Sequence, residues 1–179
     1  MNFSHLYQHP LFIMVALLSG LIVDCAKTAP PNEIVIKEVG FRMKAPAGWK
    51  IGMPAIEPGR KFKPAPDGDH CFYSEKSSYP YGKVWLFPLT PFSSLAEYVK
   101  TPPTLHGLTL TQTPIQVYGY QGIEVLSSGL GENRLPVKGI YQYILKRDTV
   151  IVASFLTIAD SFPNQEHIFR SALKTIEIK

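Results

Sequence analysis

Three runs rich in Ile, Val, Tyr, Phe and Leu follow one another at residues 121–127, 138–146 and 149–158. Short groups of Gly, Asn, Pro, Arg and Asp separate them, so the pattern predicts strands joined by hairpin turns. Ser127, Ser128 and Gly129 read as a turn at the end of the first run. Beyond the strands, Ile168, Phe169, Ala172, Leu173 and Ile176 recur at spacings of one, three and four residues. This is the apolar stripe of a helix lying on a sheet, predicted over 162–175. Nearer the amino end, Ile34 and Ile36, then Phe41, Met43 and Ala45, fall at two-residue spacing before Pro46, Gly48 and Trp49, which predicts a first hairpin. Residues 52–69 hold four Pro and three Gly and few apolar side chains, the composition of a long loop. Strands are expected at 70–75 and 83–89. A short helix is expected at 94–100, where Ser94 and Glu97 stand in capping-box spacing and Leu95, Tyr98 and Val99 supply an apolar face. Residues 108–113 and 115–120 read as two further strands with Pro114 between them.

Strands, a short helix, more strands and a closing helix argue for an α+β domain, an antiparallel sheet with helices packed on it. The first residues differ in kind. Residues 11–23 are an almost unbroken apolar run, interrupted by Ser19 and Gly20. Spanning a bilayer takes about 20 apolar residues and a secretory signal about 7 to 15, so the run reads as an export signal. Asp24, Lys27, Pro30 and Pro31 follow it at once, as a processing site and linker would. The expected division is a signal over 1–25, a linker over 26–32 and one domain over 33–179. Cys25 stands where a bacterial lipoprotein carries its acylated cysteine, and Ile22 and Val23 fit the start of that signal. Asp24 departs from the small residue expected before the cysteine, which leaves acylation, ordinary cleavage nearby and an uncleaved anchor all open.

Charge narrows the partners. The chain has 18 Lys and Arg against 14 Asp and Glu. Residues 1–25 contain Asp24 as their single charged side chain, so without them the balance is 18 against 13, a net of +5. The cations are scattered except for Arg60, Lys61 and Lys63 around Phe62 in the Pro-rich segment. Nucleic-acid binders show a basic stripe or a motif, and neither is present here. For an exported protein these three cations are candidate contacts to a membrane surface, where each is worth about 1 kcal/mol. Without Cys25 the chain keeps Cys71 alone, so no intramolecular disulfide is available and a packed core must hold a domain of about 150 residues. The composition of that core fits a monomer needing no cofactor or metal.

No reaction is written in the sequence. Asp67, Asp69, His70 and Cys71 form a local group of ligand-type side chains, but His70 and Cys71 are adjacent and would point to opposite faces of a strand. There is no Gly-x-Ser-x-Gly, no Gly-rich phosphate loop and no His-Glu-x-x-His. His106 and His167 read as surface residues. Tyr79, Tyr81, Trp85, Phe87 and Phe92 would suit an interface, a ligand pocket or a plain core.

Four segments carry a family likeness: Phe41-Arg-Met-Lys-Ala-Pro-Ala-Gly-Trp49, Ser94-Leu-Ala-Glu-Tyr98, Val117-Tyr-Gly-Tyr-Gln-Gly-Ile123, and the stretch from Tyr141 through Phe155 to Ser171-Ala-Leu173. Together they resemble the PsbP-like superfamily, which includes photosystem-associated lumenal proteins, a nuclear import factor that binds the Ran GTPase, and bacterial envelope proteins of the DcrB type. The resemblance implies an α/β/α sandwich and a binding or assembly role with no chemistry. The expectation is a non-enzymatic, exported envelope protein, periplasmic or membrane-anchored, whose partner is another protein or the membrane surface. The alternative is a small-ligand carrier or weak hydrolase with a pocket between the sheet and the long loop.

Overall fold

A computed structural model describes residues 32–52, 70–74, 79–100, 107–131 and 134–179. The three central runs pair as expected. Strand β7 (Tyr120–Leu130) lies against β8 (Pro136–Lys146), and β8 against β9 (Thr149–Ile158), all antiparallel. Residues 127–129, read above as a turn, continue β7. Ser127 faces Gly139 and Gly129 faces Val137, so the β8 ladder holds these small residues extended.

Around this centre the sheet reaches seven strands. β5 (Tyr81–Pro88) pairs with β9, β4 (Cys71–Ser74) with β5, and β3 (Trp49–Ile51) with β4. On the other side β6 (Leu108–Val117) pairs with β7, which gives the order β3-β4-β5-β9-β8-β7-β6. The two strands expected around Pro114 are therefore one. Proline lacks the N–H that an interior strand must donate, but an edge strand can leave that side unpaired.

A second, three-stranded sheet was not expected. β1 (Glu33–Ile36) and β10 (Glu177–Ile178) flank β2 (Phe41–Lys44) antiparallel. The first hairpin thus belongs to this small sheet, while Trp49 begins β3 of the large one. The closing helix α2 (Phe162–Leu173) packs with the small sheet over one face of the large sheet. Ile34, Ile36, Phe41 and Met43 meet Phe155, Phe169, Leu173 and Ile176 there, all buried. Phe169 stacks on Phe155 with ring centres 5.1 Å apart, and Trp49 meets both rings edge-on at 5.7 and 6.1 Å. Gly82 makes this possible, since a Cβ there would come within 2.5 Å of the Phe155 ring.

The opposite face carries α1 (Leu95–Tyr98) and a second cluster built on Tyr98, Tyr141, Tyr143, Val150 and Val152. Ser94 caps α1 as its spacing predicts, its hydroxyl accepting the Glu97 N–H at 3.2 Å. The Glu97 carboxylate reaches back one residue further than expected, to the N–H and hydroxyl of Ser93 at 2.8 and 2.6 Å. Those bonds hold its pKa below the usual carboxylate range. Both faces of the central strands are therefore covered, which is the layered α+β arrangement the element order implied.

Candidate functional site

Exposed apolar side chains are concentrated at one end of the β6–β7 hairpin. Leu108, at the start of β6, is 76% exposed and Leu130, at the end of β7, is 62% exposed. Register explains the grouping. Leu108 sits opposite Ser128, and Leu130 opposite Pro136, so the start of β6, the end of β7 and the start of β8 share one rim. The turn from β7 to β8 adds Leu135, also exposed, through Gly131 N–H to the Leu135 carbonyl at 2.9 Å and Arg134 N–H to the Gly131 carbonyl at 3.2 Å. Arg134 takes a left-handed conformation, φ 58°, to close that turn. Leu110, 48% exposed, lies where the β6–β7 register shifts between Thr109 and Thr111. A bulge turns such a residue out of the ladder.

These leucines border an open depression of about 670 Å³, lined by Leu108, Ser128, Leu130, Pro136, Val137 and Ala159 among others. Glycine is needed at its edge. Gly107 has φ 122°, and a Cβ there would collide with the Ser128 carbonyl. None of the lining residues is charged. In sequence the lining is flanked by the cations Arg134 and Lys138, the latter holding its ammonium 4.6 Å over the Phe162 ring, and by the anions Glu132 and Asp160. Among the described residues lining it, the polar side chain is that of Ser128.

Of the aromatic group singled out from the sequence, Tyr79 reaches this end, its hydroxyl 2.6 Å from where a Cβ of Gly131 would stand. Tyr79, Tyr81, Trp85, Phe87 and Phe92 are half-buried against the cluster on the α1 face. Phe92 meets Tyr98 at 5.2 Å, Tyr79 meets Tyr81 at 5.6 Å, and Lys83 covers Trp85 at 5.0 Å. Tyr141 is buried beside them, and burial raises its pKa while a hydrogen bond with Ser127 partly opposes the rise. Cys71 is buried in β4, and no group of three metal-ligating side chains forms among the described residues. His167 is exposed on α2, where its carbonyl accepts the Ser171 hydroxyl at 2.7 Å. Cys25, Arg60, Lys61, Lys63, Asp67, Asp69 and His106 lie outside the described residues. Among those described, no helix is long and apolar enough to cross a membrane.

One polar network ties α2 to the sheet. Arg170 donates to Glu124 of β7 at 2.6 Å and to Glu166 at 2.9 Å, and Gln142 of β8 donates to the other Glu124 oxygen at 3.0 Å. The Glu124 hydrogen bond, chiefly, raises the Arg170 pKa. Every charge in it is paired within the chain, so it reads as a structural clamp.

Neither a protein-family model nor a curated protein sequence matches the chain. Solved structures do. The solution structure of cyanobacterial PsbP (CyanoP) from Synechocystis sp. PCC 6803 superposes with a TM-score of 0.59 at 11% identity, over 89% of this chain and 100% of that one. LpqN of Mycobacterium tuberculosis, described as involved in cell envelope biogenesis, superposes with a TM-score of 0.57 at 10% identity, over 83% and 90%. PA94 of Pseudomonas aeruginosa, a protein of unknown function, gives 0.50 at 14% identity, over 83% and 96%. The chain therefore has the PsbP-like α+β fold that its strand and helix segments resemble.

Proposed function

We propose that this chain is an exported, non-enzymatic protein of the bacterial cell envelope that acts as a binding or assembly module, with no nucleic-acid partner. The observation that carries the reading is the uncharged leucine rim at the end of the β6–β7 hairpin. Contiguous exposed apolar side chains on a stable domain mark a contact surface. The apolar run at 11–23, with Cys25 at its edge, supplies export and a means of attachment. The fold shared with LpqN is in keeping with an envelope setting. Arg60, Lys61 and Lys63 are the proposed cationic contacts to a membrane surface. The carrier or hydrolase alternative places its pocket between the sheet and the long loop, and residues 53–69 of that loop lie outside the described residues.

Fractionation of the native host, with the mass of the mature protein, tests the reading. The expected result is an extracytoplasmic protein whose mass shows acylation at Cys25, and Cys25→Ser then abolishes the acyl mass. A chain found wholly in the cytoplasm would refute the export reading, and one free in the periplasm would refute the attachment alone.

A further inference from the structure

We propose that β10 is a strap latched by Lys146, which opens by itself while the rest of the domain stays folded and thereby uncovers the edge of β2. The strap is short. β10 pairs with β2 through Glu177–Arg42 and Ile178–Phe41, whereas β1 holds the other side of β2 over four residue pairs. Its hinge is fixed. The N–H groups of Lys174, Thr175 and Ile176 bond back to the Arg170, Ala172 and Leu173 carbonyls, and the Thr175 hydroxyl accepts the Lys44 N–H at 2.9 Å. Ile176 is buried in the core, so opening stops there and withdraws one buried apolar side chain, that of Ile178. Few pairings and little buried apolar surface distinguish a unit that opens locally from one that opens only with the whole domain.

The latch comes from the large sheet. The Lys146 ammonium, at the end of β8, donates to the Val39 carbonyl at 2.9 Å and to the Lys179 carbonyl, and it lies 5.6 Å from the centre of the Tyr120 ring. One cation thus ties the turn before β2 and the residue after β10 to β8 through charge-assisted bonds. Gly40 completes the seat. Its φ is 59°, its carbonyl accepts the Lys179 N–H at 3.1 Å, and a Cβ would come within 2.5 Å of the Lys179 carbonyl oxygen, so a side chain there would push the strap out. With β10 displaced, β2 would present unpaired backbone groups beside the apolar seat left by Ile178, the features by which a sheet edge takes up an added strand. β10 fills that position from within the chain.

Native-state hydrogen exchange of the full chain, followed amide by amide by NMR in low urea, tests this. The Lys179 N–H should exchange through an opening that depends little on urea, because urea dependence scales with the surface exposed. The amides of β9, which is paired on both sides, should exchange only with global unfolding. Lys146→Met should speed exchange at Lys179 roughly tenfold, the order expected for a lost hydrogen bond to a charged group. The β9 amides should then change only as far as urea unfolding of the variant requires. Lys146→Arg keeps the cation and its donors and should stay near the parent. Lys138 lies over the Phe162 ring near the other end of the same strand, so Lys138→Met should leave the Lys179 amide unchanged. Exchange at Lys179 that follows β9 in its urea dependence would show that β10 does not open alone and would overturn the proposal. So would a Lys146→Met variant whose Lys179 amide exchanges as in the parent. A Lys146→Met chain that does not fold at all would overturn it too, since Lys146 would then hold the whole domain and not a strap.

Discussion

Truncating Phe169 should remove much of the stability of the domain. Its side chain is fully buried in the layer between α2 and the sheet, 5.1 Å from Phe155, 6.1 Å from Trp49 and 6.2 Å from Phe162 by ring centres. Phe→Ala in a core costs about 3 to 5 kcal/mol, from lost transfer energy and from the cavity left behind. Aromatic pairs are worth about 0.5 to 1.5 kcal/mol beyond burial, so with three such neighbours Phe169→Ala belongs in the upper half of that range, at about 4 to 5 kcal/mol. Domains are stable by about 5 to 15 kcal/mol, so the variant sits near the margin. With about 2 to 4 °C lost per kcal/mol at this size, the melting temperature should fall by roughly 8 to 20 °C. Urea unfolding followed by circular dichroism measures the same quantity, with the m value unchanged. His167→Ala, two residues away on the exposed side of α2, should stay within about 0.5 kcal/mol. If Phe169→Ala cost less than about 1 kcal/mol, or no more than His167→Ala, the packing of α2 described above would be wrong.

Tyr98 is 2% exposed and its hydroxyl has no hydrogen-bond partner among the described residues. An unpaired buried hydroxyl costs about 1 to 3 kcal/mol, so Tyr98→Phe should raise the urea midpoint by about 1 kcal/mol of stability, and a loss would show that the hydroxyl is satisfied. Glu124→Gln keeps an acceptor but removes the charge that Arg170 meets. Because the Arg170 side chain is 38% exposed and screened, the loss should be about 1 kcal/mol or less and should shrink in high salt. Burial raises the pKa of both Tyr98 and Tyr141, so the folded protein holds these protons more tightly than the unfolded chain. Their stabilising effect is complete below the unfolded tyrosine pKa of about 10 and is lost as pH rises through the higher folded values. The melting temperature should therefore fall above about pH 10, less steeply in Tyr98→Phe, and a flat profile there would contradict the burial of both hydroxyls.

What could be read from the sequence was what depends on near neighbours. β9 spans the residues its apolar run marks, and Phe169, Ala172 and Leu173 of the closing stripe are buried as their spacing requires. α2 ends at Leu173, two residues short of the expected 175, while Ile176 still packs in the core from beyond it. Pairing between distant segments left no such mark. β10 is two residues long and has no period to detect, and its place beside Arg42 and Phe41 depends on a partner near the other end of the domain. The leucine rim was hidden for the same reason. Leu108, Leu130 and Leu135 are unremarkable taken singly, and only the register of β6, β7 and β8 brings them to one edge. The available hint was that Leu130 and Leu135 flank the break between two strong strands, where polar turn residues are the usual choice.

Among the described residues β6 has a neighbouring strand on one side only, and the same register bears on how such an edge resists pairing with other chains. The two ends of the large sheet differ. β3 is three residues long and offers little template, whereas β6 runs for ten residues with both of its faces largely exposed. An uncharged strand of that length, rich in Thr and Leu, is the kind that pairs edge to edge. Charged side chains are the common protection, and β6 has none. Its protection is in the backbone: Pro114 interrupts the row of donors, and the bulge between Thr109 and Thr111 twists the strand upstream of it. No uninterrupted run of donors longer than three or four residues then remains on either side, too short for a lasting ladder. The contact capacity of the hairpin is thereby moved from its edge to its open end, where it resides in side chains. Restoring the edge tests the argument. Pro114→Thr returns an N–H and a good strand former without changing the leucines, so it should make the protein self-associate, seen as a concentration-dependent rise in mass by light scattering. A variant that remained as dispersed as the parent would show that the edge is guarded by something other than the proline.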